Sequence, residues 1–317
     1  FVLLTFDDAV TKAIYDEYYE KLLLDRRNPD NRTIGATFYV PHEYTDYTCV
    51  NKLYNAGFEI ASHSISKNIS IYWKTASKEQ LVDEFKGQRE IISTNANIPL
   101  ESIRGVRTPH LQLAGNRSFE AYDESGYLYD SSWPTLSIDK LYPYNLKYLS
   151  TQQCVIGECP TNSLPNFWVI PINNLVGNQG IDCNSLYACN VEGNSTVVLD
   201  WLQSEFQKNF GSSRAPLKLL INSVWMSQQE NFEALQMFLD FLQEQQDVFL
   251  VNENDLVEWM KDPVEVQDYV RLSENEEREC VEKICVLKHG IEDRYMGSCV
   301  TCPSVYPWLQ NPMGKVY

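Results

Sequence analysis

The chain has 317 residues, of which 44% are hydrophobic, and its formal net charge is −17 at pH 7. This size and composition predict a packed globular protein, either one large α/β domain with an extension or two small domains. So acidic a surface would be repelled by nucleic acid and by anionic lipid, which argues against both as partners. No stretch approaches the ~20 consecutive apolar residues that a membrane-spanning helix needs.

Strand-like and helix-like patterns alternate along the chain. Strand-like runs cover residues 1–6, 33–40, 57–62, 103–106, 217–222 and 248–251. Ser77, with Gln80 three residues later, is typical of a helix N-terminus, and one apolar face follows it. Further helices are predicted for residues 197–206, 231–246 and 255–260. This alternation favours parallel βα units.

Several strand-like runs are followed directly by residues that could carry chemistry: Asp7, Asp8, His63, Arg107 and Asn222. Functional groups of parallel α/β folds gather at the carboxyl ends of the strands, so we expect these side chains to converge on one rim. Adjacent carboxylates point to different sides of the chain, which would let one bind a metal while the other acts as a base. Taken alone, an Asp-Asp pair is more typical of a turn or a helix cap than of a catalytic site.

Two regions interrupt the alternation of strands and helices. Residues 136–192 are rich in Asn, Pro, Tyr and Cys, which predicts long loops stapled by disulfides. After Pro263 the chain becomes charged and then Cys-rich. We therefore predict a domain in residues 1–262 and, in residues 263–317, a Cys-rich C-terminal extension that packs on it.

The chain has nine cysteines, and close spacings predict two short disulfide loops, Cys154 with Cys159 and Cys183 with Cys189. Cys299 and Cys302 have the spacing of half a metal knuckle, but no second such pair exists and His289 is the only histidine nearby. The odd count predicts that one cysteine pairs with a segment upstream of this strand-like start. Disulfides together with Asn-X-Ser/Thr sequons predict a secreted glycoprotein, with sequons at Asn31, Asn68, Asn116 and Asn194.

Five short motifs follow one another along the chain: Thr5–Asp8, His63–Lys67, Arg107–His110, Asp130–Trp133 and Leu220–Trp225. In this order they resemble the motifs of the family 4 carbohydrate esterases, the NodB-like polysaccharide deacetylases. The ending from Arg294 to Pro312 resembles the tail of insect chitin deacetylases, in particular the gut-expressed branch with only the catalytic-type domain. The resemblance implies a distorted (β/α) barrel of the NodB type and chitin or a chito-oligosaccharide as the ligand.

The resemblance also implies a metal-dependent mechanism. In the family a divalent metal, usually zinc, binds the second aspartate of the first motif and two histidines of the second, which here places Asp8, His63 and Lys67 around it. The metal polarises the acetamide carbonyl and lowers the pKa of its bound water. Asp7 then corresponds to the base that takes the proton of this water, and Arg107 to the residue that orients the base.

The remaining roles implied by the resemblance concern the oxyanion, the acid and the acetyl pocket. The backbone amide of His110 corresponds to the oxyanion donor. Asp130 corresponds to the residue that orients an acidic histidine in the fifth motif. Substrate contacts are implied for Trp133, Leu220 and Trp225.

The sequence departs from the family pattern at two positions. The second histidine of the second motif is replaced by Lys67, and a protonated lysine has no lone pair for a metal. Its ammonium could instead occupy the place of the metal and neutralise Asp8. The acidic histidine of the fifth motif, three residues before Trp225, is replaced by Asn222. An amide cannot donate a proton to the leaving amine, although it can hydrogen-bond a sugar.

Of the four histidines, His42, His63, His110 and His289, only His63 falls at a position that the mechanism needs. His110 replaces an aromatic residue of the third motif and could rescue a ligand or acid role, stack on a sugar, or pack in the wall. Tryptophans near the motifs could likewise stack on sugar rings or fill the core, and these are Trp73, Trp133, Trp168 and Trp225.

These observations predict a protein that binds chitin or its oligomers in an extracellular chitin matrix, such as the peritrophic matrix of the gut. Zinc is expected to be absent or weakly bound and activity to be weak or absent, with other chitin-matrix proteins as further partners. The alternatives are an active metal-dependent chitin deacetylase and a structural or signalling protein that has no affinity for sugars.

Overall fold

The computed structural model describes residues 1–271 and 275–316, so residues 272–274 and 317 of the predicted extension lie outside the described residues. The strands are β1 (Val2–Asp7), β2 (Thr37–Val40), β3 (Glu59–Ser62), β4 (Gly105–Val106), β5 (Tyr129–Asp130), β6 (Pro134–Thr135), β7 (Tyr144–Leu146), β8 (Leu164–Val169), β9 (Ile172–Asn173), β10 (Leu175–Val176), β11 (Asp182–Cys183), β12 (Leu217–Ile221), β13 (Lys283–His289) and β14 (Glu292–Ser298).

The helices are α1 (Lys12–Ile14), α2 (Glu20–Leu23), α3 (Tyr47–Asn55), α4 (Ser70–Thr75), α5 (Lys78–Asn95), α6 (Asn116–Glu124), α7 (Leu186–Cys189), α8 (Ser195–Phe210), α9 (Ser223–Met226), α10 (Gln229–Gln243) and α11 (Glu253–Lys261). A π-helical turn, Tyr15–Tyr19, joins α1 to α2, and short 3₁₀ turns occur at Leu100–Ser102, Pro109–Leu111 and Asn178–Gly180. Ser77 and Gln80 form the predicted capping box of α5. Among the described residues, no helix has both the length and the apolar character needed to cross a membrane.

Eight strands form a curled half-barrel sheet in the order β12-β1-β2-β3-β4-β5-β8-β7, which confirms the predicted NodB-type α/β architecture. The strands pair in parallel except for β7 against β8. Both faces are buried: Leu4 and Phe6 of β1 join the core beneath the helices, whereas Leu3 joins an inner cluster with Tyr39 and Tyr129. Continuous apolar runs such as residues 1–6 are typical of strands covered on both sides.

The register of the sheet brings the predicted site residues to one edge. Phe6 lies opposite Ile221, and Asp7 lies opposite Tyr39. Val106 lies opposite both Ser62 and Asp130. The residues that follow these positions therefore emerge together at the carboxyl end of the parallel strands.

Two predicted elements differ from the structure. Residues 248–251 form only one bridge, Val2 with Leu250, instead of a full strand, and the last strands are β13 and β14 of the C-terminal hairpin. The predicted loop region 136–192 contributes β7 and β8 to the main sheet. Turn-forming Pro165 and Asn166 lie inside β8, so the sequence pattern concealed this strand.

Four disulfides cross-link the described chain: Cys154–Cys159, Cys183–Cys189, Cys280–Cys299 and Cys285–Cys302. The two predicted loops are confirmed, and Cys299 and Cys302 are held in separate bridges, which excludes a metal knuckle. Cys49 is a free thiol in α3 that is 0% exposed. Core side chains enclose Cys49, and its predicted pairing with an upstream segment stays a prediction.

The C-terminal hairpin packs against α3 and the end of α5. The backbone amide of Cys299 donates to the carbonyl of Asn95 at 2.7 Å. Gly297 lies so close to Asp46, the N-cap of α3, that a side chain at position 297 would collide with the Asp46 carboxylate. Tyr306 follows the hairpin and packs on the buried imidazole of His42, with ring centroids 4.5 Å apart.

We expect His42 to make the fold sensitive to acid. Burial lowers the pKa of His42 to about 3, so the unfolded chain, with a histidine pKa near 6.5, binds a proton more readily. Its contribution to stability is present above about pH 6.5 and is lost progressively as the pH falls. From pH 7 to pH 5 the wild-type free energy of unfolding should fall by about 2 kcal/mol more than that of His42→Asn. Urea unfolding at both pH values tests this, and equal losses in the two proteins would contradict it.

Candidate active site

The two adjacent aspartates at the end of β1 face different partners. The Asp7 carboxylate accepts a hydrogen bond from Nη1 of Arg107 at 2.7 Å. The Asp8 carboxylate instead contacts the ammonium of Lys67 and accepts from the backbone amide and hydroxyl of Ser223, at 3.0 and 2.8 Å. Asp8 has a φ of 92°, which is uncommon for a residue other than glycine. The predicted division of the pair into two separate environments is present.

Arg107 is a fully buried cation, and each of its three guanidinium nitrogens donates a hydrogen bond. Besides Asp7, Nη1 donates to Oγ1 of Thr5 at 3.0 Å. Nε and Nη2 donate to the carbonyl and hydroxyl oxygens of Ser131, both at 2.7 Å. The guanidinium carbon lies 3.9 Å from the ring centroid of Tyr39. This arrangement fixes the Asp7 carboxylate at the rim, where its side chain is 13% exposed.

Beneath Arg107 lies a second buried ion pair that sequence reasoning missed. Nζ of Lys218, on β12, lies 2.7 Å from the Glu253 carboxylate and donates to the Ser131 hydroxyl at 2.7 Å. The other Glu253 oxygen accepts from the hydroxyl of Tyr39. Two cations and two carboxylates are thus linked through Ser131 and Tyr39, so the buried charges balance.

Lys67 occupies the position where the family implies a metal ligand. Its ammonium forms an ion pair with Asp8, and its backbone has a φ of 44°. Burial raises the pKa of Asp8, but the charge of Lys67 and the donors of Ser223 outweigh burial, so the pKa lies below its usual value. Asp8 is therefore an ionised carboxylate that is already neutralised by a side chain of the protein itself.

His63 keeps the geometry of a ligand. It is 3% exposed, and Nδ1 lies 2.9 Å from the carbonyl oxygen of Arg107. A carbonyl can only accept, so Nδ1 carries the proton and Nε2 keeps its lone pair. Burial lowers the pKa of His63 to about 4, which keeps the ring neutral at pH 7.

The donor set around His63 does not fit a zinc ion. Both oxygens of Asp8 already have partners, and the third position holds an ammonium that repels cations. Within residues 1–271 and 275–316, no group of three or more His, Cys, Asp and Glu side chains is placed to hold a metal.

The third and fourth motifs are joined by hydrogen bonds. The backbone amide of Thr108 donates to Oγ of Ser132 at 2.8 Å, and this hydroxyl donates to Asp130 at 2.6 Å. The backbone amide of Ser132 donates to the other Asp130 oxygen at 2.9 Å. Burial raises the pKa of Asp130 to about 6. These hydrogen bonds hold the ends of β4 and β5 together. Asp130 is the residue for which the resemblance implies the role of orienting the acid.

Position 222 has a local structural task. Oδ1 of Asn222 accepts from the backbone amide of Trp225 at 2.9 Å, which caps the N-terminus of α9. Ser223, the next residue, contacts Asp8. The motif identified position 222, but nothing in the sequence pointed to Ser223 as a partner of Asp8.

His110 lies in the 3₁₀ turn Pro109–Leu111 with a φ of 58°, and its side chain is exposed. The alternative in which its ring packs inside the wall is therefore wrong. The turn directs the apolar side chain of Leu111 inward instead, against Leu220 and Ile172. These three residues form a small apolar cluster, of which the sequence had identified only Leu220.

Most of the tryptophans considered for sugar contact belong to the core. Trp73 and Trp133 are each 0% exposed, and Trp225 is 5% exposed. The indole of Trp133 packs on Phe119 and donates to the carbonyl of Gln153 at 3.0 Å. Direct stacking of a sugar on Trp133 is therefore excluded in this conformation. Trp168 is half-buried and packs beside the inner cluster.

The predicted glycosylation sites differ in accessibility. Asn31, Asn68 and Asn194 are exposed, whereas Asn116 is half-buried and its side-chain amide donates to Oγ1 of Thr161 at 2.9 Å. A glycan on Asn116 would break this contact. Asn68 follows Lys67 directly, so a glycan there would lie beside the rim.

Comparison with known proteins identifies the family of the chain. The family described as "Polysaccharide deacetylase" matches residues 1–128. The chain is 36% identical to "Chitin deacetylase 8" of Bombyx mori over 99% of the chain and 86% of that protein. It is 30% identical to "Chitin deacetylase 1" of Bombyx mori over 99% of the chain but only 62% of that longer protein.

Solved structures show the same fold. A putative polysaccharide deacetylase from Mycobacterium smegmatis superposes with a TM-score of 0.53 at 16% identity, covering 86% of this chain and 92% of that one. A probable polysaccharide deacetylase from Pseudomonas aeruginosa PAO1 gives 0.51 at 13% identity, covering 83% and 91%. The chain therefore belongs to the polysaccharide deacetylase family, the NodB-like family 4 carbohydrate esterases, as a relative of the insect chitin deacetylases.

Proposed function

We propose that this protein binds chitin or its oligomers and hydrolyses their N-acetyl groups weakly or not at all. The observation that carries the proposal is the ion pair of Lys67 with Asp8, which places an ammonium where the family mechanism needs a third metal ligand. The relatives named chitin deacetylases support chitin as the ligand.

In this proposal the chemical step fails at two points. Zinc, which would polarise the acetamide and supply the attacking water, binds weakly or not at all because Asp8 and His63 lack a third ligand. Removal of a general acid typically costs ~10² to 10⁴ in rate, and Asn222 cannot protonate the leaving amine. In this proposal Asp7 keeps the position of the base, and the backbone amide of His110 keeps the position of the oxyanion donor. Asp130 has a purely local role.

Sugar binding requires less of the site than hydrolysis. In the apolar cluster of Leu111, Ile172 and Leu220, the first and last residues each keep 7% exposure, and we propose that these two contact an acetyl methyl group. The Asn222 amide and the Asp7 carboxylate supply polar groups at the same rim. Because these groups need no metal, we infer that the rim retains affinity for N-acetylated sugars after the catalytic function is lost.

The same proposal includes the setting of the protein. The disulfides and exposed sequons support secretion into an extracellular chitin matrix, and we place it in the lining of the gut with other matrix proteins as partners. We further propose that residues 1–262 form the deacetylase-like domain and residues 263–317 an extension clamped onto it.

Three measurements on one purified sample test the proposed function. We expect the protein to sediment with chitin beads, to contain less than one equivalent of zinc by elemental analysis after dialysis against zinc, and to release no acetate from chitin oligomers. Stoichiometric zinc, with acetate release that disappears in Asp7→Asn, would instead establish an active deacetylase. Failure to bind any chitin oligomer would favour a structural or signalling role.

A further inference from the structure

Glu84 is a buried carboxylate of α5 that the proposed function does not use. It is 0% exposed and lies on the same inward side of the helix as Leu81 and Phe85. A buried carboxylate destabilises a protein unless hydrogen-bond donors surround it. The donors around Glu84 therefore indicate what this side chain does.

Three of the donors to Glu84 belong to the second motif. Oε2 accepts from the backbone amides of Ile65 and Ser66, at 3.0 and 2.9 Å, and Oε1 accepts from the hydroxyl of Ser66. The hydroxyl of Tyr72, on α4, is a further hydrogen-bond partner. One carboxylate thus binds two consecutive backbone amides of a segment that lies 18 and 19 residues before it in the chain.

The segment that Glu84 holds, residues 64–67, has an unusual backbone. Ser64 and Lys67 have φ angles of 74° and 44°, and residues other than glycine keep such angles only where the surrounding structure enforces them. The backbone amide of Lys67 donates to Oγ of Ser64 at 3.1 Å, which closes the turn. Gly87 lets α5 approach this turn, because a Cβ there would lie only 2.8 Å from Cδ1 of Ile65.

We propose that Glu84 is the positioning residue that holds this turn in the shape from which Lys67 reaches Asp8. The inference rests on the proposed function, in which the ammonium of Lys67 takes the place of a metal ligand. The Lys67 side chain is 38% exposed, so water competes for its ammonium and the ion pair persists only if the backbone is held in place. Glu84 supplies this restraint through Ile65 and Ser66, directly before Lys67.

Glu84→Ala tests the inference, and Asp83→Ala is its matched control. Asp83 is the preceding residue of α5, and its carboxylate also accepts from a backbone amide, that of Gln310 in the C-terminal tail, at 2.8 Å. Trace acetic anhydride acetylates free amines, and mass spectrometry gives the rate at Lys67 relative to that at the exposed Lys74 of the same molecule. Glu84→Ala should raise this ratio about fivefold, as expected when a partly exposed ion pair is lost, whereas Asp83→Ala should leave it unchanged.

Two further variants separate the hydrogen bonds of Glu84 from its charge. Glu84→Gln should keep the wild-type ratio, because its side-chain oxygen can accept from both backbone amides and its NH₂ group can donate to the hydroxyl of Ser66. Glu84→Asp should raise the ratio, because its carboxylate is one methylene too short, and it serves as the test if Glu84→Ala does not fold.

An unchanged ratio in Glu84→Ala and Glu84→Asp would overturn the positioning role and leave the proposed function intact. If Lys67 of the wild-type protein already reacts as fast as Lys74, the ion pair with Asp8 does not persist. In that case the observation that carries the proposed function fails.

Discussion

The double variant Lys67→His/Asn222→His is expected to bind one equivalent of zinc and to release acetate from chitin oligomers. The imidazole at position 67 would replace the ammonium on Asp8 and complete a set of three protein ligands with Asp8 and His63. Histidine tolerates the left-handed backbone found there, where φ is 44°. The imidazole at position 222 would restore an acid worth ~10² to 10⁴ in rate.

The gain has a cost in stability, because Asn222 caps α9 and its replacement should destabilise the protein by about 1 kcal/mol. The matched control is Lys67→Asn/Asn222→His, which removes the same ammonium and keeps the acid but supplies no imidazole at position 67. It should bind no more zinc than wild type. Should the double-histidine variant fold and still bind no zinc, the alignment of the second motif would be incorrect.

Lys218→Met is expected to lower the free energy of unfolding by about 3–5 kcal/mol, since it leaves the Glu253 carboxylate buried without its cation. Lys218→Met/Glu253→Gln should recover a large part of this loss, because no unpaired charge remains. Urea unfolding at pH 7 with circular dichroism measures both.

Lys288→Met is the matched control for this prediction. The Lys288–Asp293 pair spans 2.8 Å on the surface, with the two side chains 63% and 51% exposed. Surface pairs typically contribute ~0–1 kcal/mol, so this variant should unfold almost as wild type does. If Lys218→Met cost no more than Lys288→Met, the buried network would not have the energetic role that its burial implies.

The rim could be predicted from the sequence because local patterns determine it. Asp7, Asp8, His63 and Arg107 each follow a short apolar run, and parallel strands carry such positions to one edge. The pairing of Lys67 with Asp8 could also be predicted from the sequence. The first and second motifs bring these residues to the same site, and their opposite charges attract each other. The roles of these residues in function remain predictions.

The contacts that the sequence could not supply join residues far apart in the chain. Lys218 lies inside an otherwise apolar strand, and only the fold reveals that Glu253 and Ser131 meet it. Ser223 reaches Asp8 through the parallel pairing of β1 with β12. The strands within residues 136–192 were concealed for a related reason, because proline and asparagine weaken the local strand signal although the neighbouring strands accommodate them.

The complete enclosure of Arg107 has a consequence for judging activity from sequence. A guanidinium with 0% exposure, bound to Thr5, Asp7 and Ser131, cannot be replaced without leaving buried partners unsatisfied. Selection for folding alone would thus retain the third motif long after turnover had ceased. Lys67 is partly exposed, so its replacement leaves no such set of buried partners unsatisfied. The second motif is therefore more informative than the third about whether a homologue with this fold is an active enzyme.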